Sequence, residues 1–464
     1  MALAETKRRK SLLPIQLQPA LEWSLILGFA FLCGACMLVR VSSPLRILFP
    51  AGAFSIGAIL YSRQPILYLG FTWWLWFLSP WVRRVVDYQS GWQDPSYILL
   101  APYLATLAAG LTVVKELPTS YQKGSIPFVL SFASVLYGGA VGVINLPIMS
   151  VAVKFLDWVA PVIFGYYAYA NWRRYPEFKR NLTQVFLWGV LVMGCYGIWQ
   201  YLVAPAWDGY WIDQTGLLTF GKPEPLEIRV FSTMHSNGPF AVTVMAGLIL
   251  LLNVPGVLAY GASAVGYLTF LLSQTRAAWI GWFLSILLFA NSLKSSLQLK
   301  LFLVITIMAL CAVPLTMIEP FSEVISSRVE TLSSGASDLS YRERMEKYNE
   351  LLGESLSQVT GKGLGGGGAH IDSAILDMFF SLGWVGALPY LAGMFSLLFS
   401  AFQVSAARFD PFVSAARAIA AGIAAQLVFG SVMTGVSGVV LWTFLGMAMA
   451  ARKYYQANPT ARPA

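Results

Sequence analysis

Charged residues are scarce in this chain, and so are cysteine and histidine. Only 11% of its 464 residues are charged and 57% are hydrophobic, so a water-soluble globule could not cover this apolar content. The four cysteines, Cys33, Cys36, Cys195 and Cys311, all lie within apolar stretches. This placement argues against a disulfide framework and favours packing thiols over a redox pair. The composition therefore predicts an integral membrane protein.

Long apolar runs dominate the rest of the sequence. About fourteen stretches suit helices of roughly 17 to 25 residues, whereas barrel strands would alternate over roughly ten. We predict an all-α, polytopic bundle of about 12–14 transmembrane helices with a large helical extracytoplasmic loop. Residues 1–228 form N-terminal transmembrane helices, and residues 229–318 form helices with outward arginines. Residues 319–383 form the loop with its return to the membrane, and residues 384–464 form C-terminal helices with a cytoplasmic tail.

Basic residues set the predicted orientation. The opening MALAETKRRKSLLPIQ is a basic tail without a visible cleavable signal, and the positive-inside rule places it in the cytoplasm. Alternate loops then face inward, and each of them is basic. The net charge of +9 needs no nucleic-acid partner, because topology and anionic membrane lipids account for most of it. Three larger loops, 81–96, 205–236 and 319–383, are predicted outside.

Five arginines fall on this outer side, against the topological bias. Guanidinium groups offer forked donors that suit phosphate, so these side chains suggest an anionic ligand outside the membrane. Pairing with nearby carboxylates or lipid headgroups is the alternative. The five are Arg229, Arg276, Arg328, Arg342 and Arg344.

The longest polar interruption contains a predicted helix. Residues 340–343 (SYRE) form a capping box, and Gly353 marks the expected end of the helix. An apolar stripe that includes Tyr348 has Arg342 and Arg344 on its flanks. The helix would lie over a cavity or on the membrane, and an amphipathic surface helix with solvated arginines is the alternative.

A glycine-rich sequence, GKGLGGGGAHIDSA, follows this helix. Its glycines allow close backbone approaches and positive φ, but it contains neither of the glycine motifs of nucleotide sites. It includes His370 and Asp372. The only other histidine, His235, is also predicted to lie outside.

Four stretches, taken in order, resemble the O-antigen ligase and O-antigen polymerase superfamily, membrane enzymes that join sugars carried on a polyprenyl diphosphate. SQTRAAWIG (273–281) is similar to the SxSRgaw signature, and RVFSTMHSNGPFA (229–241) to the Arg-then-GTFxhPNxxA segment. RMEKYNELL before GKGLGGG resembles the Arg-x-x-x-Trp helix before a GxG loop. DSAILDMFFSLGWVG resembles the (H/D)(N/S)xxLxxxxxxGxxG return to the membrane. The resemblance covers residues 229–386. The preceding helices are similar to the family in hydropathy alone.

The resemblance implies glycosyl transfer at the outer face of the bacterial inner membrane, without cofactor or metal. The donor is a polyprenyl-diphosphate-linked glycan and the acceptor is another glycan. Arg229 and Arg276 would hold the diphosphate, and Arg344, with Arg342 as partner, would close over it.

The resemblance also implies which residue accepts the proton. Asp372 takes the position that is histidine in typical ligases, so it is the predicted general base, with His370 competing. His235 and Asn237, the recognisable members of the second motif, and Tyr348 are predicted near the substrate. A carboxylate at 372 favours a polymerase that joins repeat units over a ligase that transfers a finished glycan. Other polysaccharide assembly proteins are possible partners.

Other classes of function remain open at this point. A small-molecule transporter would need ionisable groups in the membrane, and the sequence offers Asp157 with Lys154, Asp377 and Arg417.

Two further alternatives rest on the region around residue 80. A metal-dependent transferase using a polyprenyl monophosphate would take Asp87 and Asp94 as ligands. A non-enzymatic scaffold would use WLWFLSPW (74–81) as a docking belt, although an interfacial aromatic belt explains this stretch as well.

Overall fold

A computed structural model describes residues 18–116, 119, 124–291, 298, 306, 351–366, 373–403 and 405–459. Over these residues the chain is helical, and its only extended pairing is an isolated antiparallel bridge between Gly221 and Ile228. The predicted all-α polytopic class is confirmed. Of the helical loop and membrane return predicted at 319–383, residues 351–366 and 373–383 are described, and the others lie outside the described residues.

Fifteen α-helices are given bounds within the described ranges, and residues 351–357 are helical as well. The first six are α1 (Gln18–Leu38), α2 (Leu45–Arg63), α3 (Pro65–Ser90), α4 (Leu100–Leu107), α5 (Gly110–Glu116) and α6 (Ile126–Asn145). The next six are α7 (Ile148–Ala170), α8 (Tyr175–Val203), α9 (Ala206–Thr215), α10 (Asn237–Leu251), α11 (Val257–Leu272) and α12 (Arg276–Ala290). The last three are α13 (Ala374–Phe402), α14 (Pro411–Ala424) and α15 (Gly435–Ala457).

The helices have the lengths and surfaces of a multi-pass membrane protein. Eight helical segments among the described residues are long and apolar enough to cross a bilayer, and α10, α11, α12 and α14 are shorter apolar helices. Large apolar side chains point outward, with Phe31 exposed to 78% and Val257 to 87%. Such exposure suits contact with lipid and would be unfavourable in water.

One core joins the helices across the bundle. The most extensive contacts pair α7 with α15, α6 with α13, and α8 with α11. Aromatic rings fill the centre, where Phe186 of α8 packs edge-on against Trp73 of α3 and Phe444 of α15, with ring centroids 4.9 and 5.5 Å apart. This core fixes α3 and α8 relative to each other, and both helices carry residues of the site described below.

The region around residue 80 differs from its prediction. The loop predicted at 81–96 is wrong, because α3 continues to Ser90. The predicted docking belt at 74–81 is also wrong, because Leu75, Trp76 and Phe77 are buried in the core. Tryptophan-rich sequence marks a membrane interface only when the rings reach the surface, and these rings pack inside the bundle instead.

Helix α13 contains a break that accepts a second chain segment. Gly383 leaves the helical region with φ 60° and ψ −173°, and the amides of Lys362 and Gly363 donate to Phe380 O at 2.9 Å and Ser381 O at 3.0 Å. A Cβ on Gly361 would lie 2.5 Å from Gly383 N, so only glycine allows this approach. The predicted close backbone approach of the glycine-rich loop is therefore confirmed at these positions.

The helix that precedes this loop ends later than predicted. Residues 351–357 are helical, so Gly353 lies inside a helix and does not end it. Glycine is a weak helix former, but one glycine within a helix costs only about 1 kcal/mol.

Candidate functional site

Residues 226–236, which we call the strap, form a non-helical segment between α9 and α10. The strap is tied to two helix ends through its backbone. Leu226 N donates to Tyr201 O of α8 at 2.7 Å, and Val230 N donates to Leu272 O of α11 at 3.1 Å. The strap therefore lies across the end of the bundle where α8 and α11 terminate.

The strap brings two of the sequence-predicted stretches together. Besides the bond from Val230 to Leu272, the side-chain amide of Asn237 lies 3.5 Å from Ser273 O. Arg276 is the first residue of α12, three positions after Ser273. The segments 229–237 and 273–276 are thus neighbours at one end of the bundle, although the hairpin of α10 and α11 separates them in the chain.

The predicted arginines on these segments are both partly accessible. Arg229 and Arg276 are half-buried, and Arg229 Nη1 lies 3.5 Å from Thr219 O. Arg276 stands at a helix N-terminus, where the backbone dipole favours an anion. Guanidinium and amide donors on adjacent segments can together bind a phosphate group.

His235 and Asn237 occupy the end of the strap. His235 is exposed, and its ring packs edge-on against Trp211 of α9 with centroids 5.2 Å apart. Asn237 begins α10 and its Oδ1 accepts from Gly238 N at 3.1 Å. Both residues therefore lie beside the arginine-bearing segments, and their predicted proximity to substrate stays a prediction.

The remaining predicted site residues cannot be placed in this geometry. Arg342, Arg344, Tyr348, His370 and Asp372 lie outside the described residues, as does Arg328. Their roles stay predictions from the sequence.

A buried ion pair beneath the strap was missed by sequence reasoning. Arg84 Nη1 of α3 lies 2.9 Å from Asp208 Oδ1 of α9, and both side chains are fully buried. Arg84 Nη2 also donates to Ser232 O of the strap, and its guanidinium packs 4.6 Å from the Phe231 ring centre. The positive charge therefore contacts the strap backbone directly.

Polar side chains of α8 complete this cluster. Gln200 Nε2 and the Tyr196 hydroxyl each donate to Asp208 Oδ2 at 2.8 Å. Gln200 Oε1 accepts from Phe231 N at 3.1 Å and Ser232 N at 2.8 Å. We call Arg84, Asp208, Gln200 and Tyr196 the strap cluster.

Burial governs the protonation of Asp208, which lies on α9 outside the membrane-spanning helices. Desolvation raises the pKa of this carboxyl, while Arg84, Gln200 and Tyr196 oppose the rise. Low-polarity surroundings disfavour the charged form, and an adjacent guanidinium favours it. The ionisation of Asp208 therefore depends on Arg84.

A second buried pair lies one residue earlier in α3. Arg83 Nε donates to Asp87 Oδ2 at 3.1 Å, and the guanidinium lies 4.9 Å from Trp92 and 4.7 Å from Trp211, measured to the ring centres. The i,i+4 spacing of Arg83 and Asp87 in WVRRVVDY was the available signal for such a pair. No local pattern links Arg84 to Asp208.

The two acidic residues proposed as metal ligands are paired with guanidinium groups. Asp87 also lies 3.7 Å from Arg46, and Asp94, 71% exposed, lies 3.7 Å from Arg83. A carboxylate neutralised by arginines is a poor partner for a divalent cation. The prediction of Asp87 as a metal ligand in a loop is therefore wrong, because Asp87 lies on α3 and its charge is paired with arginines.

The ionisable groups considered for transport make local contacts. Lys154 lies 3.8 Å from Asp157 on the same helix, and Tyr103 donates to Asp157. Asp377 accepts from Ser381 at 3.1 Å, and Arg417 Nη2 lies 3.3 Å from Ser414 Oγ. Asp377 lies in the first turn of α13, whereas Asp157 lies close to the middle of α7.

An apolar cavity of about 330 Å³ lies between α6 and α7. Its size would accommodate part of a hydrocarbon chain, but its lining offers no group for binding a head group or for catalysis. The lining residues are Leu136, Gly139, Ala140, Val143, Ile148, Val151, Ala152 and Phe155.

No protein-family model matches this chain, and the search of curated proteins found no match either.

Proposed function

We propose that this protein is a glycan polymerase that joins polyprenyl-diphosphate-linked repeat units. The observation that carries the proposal is the contact between the segments 229–237 and 273–276, through Val230 and Leu272 and through Asn237 and Ser273. These segments carry Arg229 and Arg276, and they include the motifs that resemble the O-antigen ligase and polymerase superfamily. A membrane-embedded helical bundle with a polar strap at one end suits a lipid-linked donor.

The chemistry follows from the charges. A hydroxyl of the acceptor glycan attacks the anomeric carbon of the donor, and the bond from that carbon to the diphosphate oxygen breaks. The polyprenyl diphosphate departs with the electron pair, and Arg229 and Arg276 stabilise its negative charge. Asp372, or His370 in its place, takes the proton of the attacking hydroxyl. The arginines supply the positive charge that a metal ion provides in other transferases.

Both reactants would approach from the strap end of the bundle. On the positive-inside rule that end would face the outer side of the membrane, which for the superfamily that the motifs resemble is the outer face of the bacterial inner membrane. His235 and Asn237 lie on the same segment as Arg229 and would contact the sugar or the diphosphate.

The test uses purified protein in detergent with a synthetic polyprenyl-diphosphate-linked repeat unit, chelator present, and products followed by gel and mass. We expect a ladder of added repeat units. Arg276→Ala and Arg229→Ala should each lower the rate on the order of 10² to 10³ fold, because charge stabilisation in the transition state is lost. Arg173→Ala is the matched control, since Arg173 is an exposed arginine next to the opposite end of α8.

The alternative functions give different results in the same assay. Single transfer to a separate acceptor, without a ladder, would identify a ligase. Wild-type rates in both Arg276→Ala and Arg229→Ala, at matched protein levels, would contradict the assigned diphosphate site. Activity that disappears with chelator would contradict the metal-free mechanism.

A further inference from the structure

Buried side chains of α3 and α8 bind the backbone of the strap, and these side chains have no role in the proposed glycosyl transfer. Arg84 donates to Ser232 O, and Gln200 accepts from the amides of Phe231 and Ser232. The Ser232 hydroxyl in turn donates to Met193 O of α8 at 2.6 Å. Consecutive peptide groups of the strap are thus bound to α3 and α8 at one point.

The strap backbone at this point has a conformation that needs such support. Ser232 has φ 50°, in the left-handed region that residues with a Cβ seldom adopt. A conformation of this kind is strained and persists only when surrounding contacts enforce it. The bonds from Arg84 and Gln200 are those contacts.

Stability alone does not account for a buried arginine here. Replacing a buried ion pair by apolar residues of similar volume is often neutral or stabilising. The pair of Arg84 and Asp208 therefore adds less to helix packing than apolar residues would. Their polar atoms instead match the peptide groups of an irregular segment, which apolar residues could not bind. Asp208 orients Arg84 and Gln200 together through its two oxygens.

We infer that Arg84, with Asp208 and Gln200, positions the strap and thereby sets the placement of Arg229 and His235 at the site. Ser232 lies three residues after Arg229 and three before His235, so a shift at Ser232 moves both side chains. Arg84 is a positioning residue, since it acts through the backbone of the strap. The consequence for catalysis rests on the proposed glycosyl transfer, whereas the geometry of the strap can be measured without it.

The first measurement is therefore a distance. Spin labels are placed at Glu227→Cys on the strap and Tyr97→Cys, two exposed positions on different segments, after the four native cysteines are replaced. Arg84→Met with Asp208→Asn removes both buried charges. We expect its distance distribution to broaden relative to the parent, and Arg84→Lys, which keeps a charged donor, to restore most of the parent distribution.

The matched control lies at the other end of α8. Lys179→Met with Asp410→Asn removes another ion pair, between Lys179 of α8 and Asp410 at the N-terminus of α14, whose charged atoms are 2.8 Å apart. It should lower stability without changing the distance distribution at the strap. Gln200→Met provides a second test in a chain that keeps Arg84 and Asp208, and it should broaden the same distribution.

The kinetic measurement then connects the strap to catalysis. In the ladder assay, Arg84→Met with Asp208→Asn should lower kcat/KM by about 10² fold, mainly through kcat, because misplaced groups lose transition-state contacts. The control pair should retain the parental kcat per folded molecule.

The results distinguish the positioning role of Arg84 from the proposed glycosyl transfer. An unchanged distance distribution in both the Arg84 and the Gln200 variants overturns the positioning role, whatever the activity. A broadened distribution together with no turnover by the parent protein supports the positioning role and contradicts the proposed function. A broadened distribution with parental kcat/KM overturns the link to catalysis.

Discussion

The two ends of α8 each hold a buried carboxylate, and the two clusters differ in what they bind. Helix α8 has 29 residues and is therefore about 43 Å long. Asp208 lies near its C-terminal end in the strap cluster. Asp410 lies near its N-terminal end, where it accepts from Tyr175, Lys179 and Tyr455, each at 2.8 Å.

Asp410 joins regular elements. It caps the N-terminus of α14 by accepting from Phe412 N at 2.9 Å, and its other partners belong to α8 and α15. Lys179 is 36% exposed, so its charge is partly solvated. All the groups at this end belong to helices that the apolar core already holds in place. This cluster therefore contributes mainly to stability.

The strap cluster joins regular helices to an irregular segment. Arg84 is fully buried, its Nη1 lies 2.9 Å from Asp208 Oδ1, and its Nη2 donates to a strap carbonyl. The strap has no helical hydrogen-bond ladder of its own, so side chains must satisfy its peptide groups. The comparison teaches that buried charge near helix ends can stabilise either the packing of helices or an irregular segment, and that the hydrogen-bond partners of the charge distinguish the two cases.

The largest expected effect is that of Arg84→Met alone. It leaves Asp208 buried without its cation and should reduce the free energy of unfolding by about 3–5 kcal/mol. Adding Asp208→Asn should recover much of this loss. Denaturant or thermal unfolding in detergent measures both variants. If the double variant were as unstable as the single one, the buried charge would not be the cause.

The same variant should also become sensitive to pH. Burial raises the pKa of Asp208 and Arg84 opposes it, so removing Arg84 raises this pKa further. The folded state then binds the proton more tightly than the unfolded state. The stability of Arg84→Met should therefore fall as pH rises from the unfolded pKa to the folded one. The double variant, which lacks this carboxyl, should not show the extra slope.

A somewhat smaller effect is expected for Asp410→Ala. The variant loses a helix cap and three hydrogen bonds to a charged acceptor, which should cost about 3 kcal/mol. Its turnover per folded molecule should match the parent, because the strap is untouched. Loss of turnover in the folded fraction would contradict the division of roles between the two ends.

The smallest effect is expected for Tyr455→Phe. It removes one hydrogen bond to Asp410, which keeps three other donors, so unfolding should become easier by about 1 kcal/mol. Tyr454→Phe, at the neighbouring position, is the control and should change the unfolding free energy less. Equal losses in the two variants would show that ring packing, and not the bond to Asp410, is responsible.

The sequence predicted some parts of this site and missed others for physical reasons. Arg229 and Arg276 could be singled out because basic residues on the predicted outer side oppose the topological bias. Arg84 could not, because its environment depends on a carboxylate and a carbonyl that are distant in the chain. Trp76 was expected near a surface because a sequence of aromatic residues does not show which rings face the core.

The sequence by itself determined that this chain spans a membrane as helices, because apolar runs of this length must satisfy their backbone groups internally. It also determined which residue types are available for binding an anion at the strap end. Only the tertiary structure decided that the strap lies beside the start of α12 and above Arg84. Arg84 and Ser232 are 148 residues apart in sequence, and contacts over such separations arise from helix packing, which local patterns do not encode.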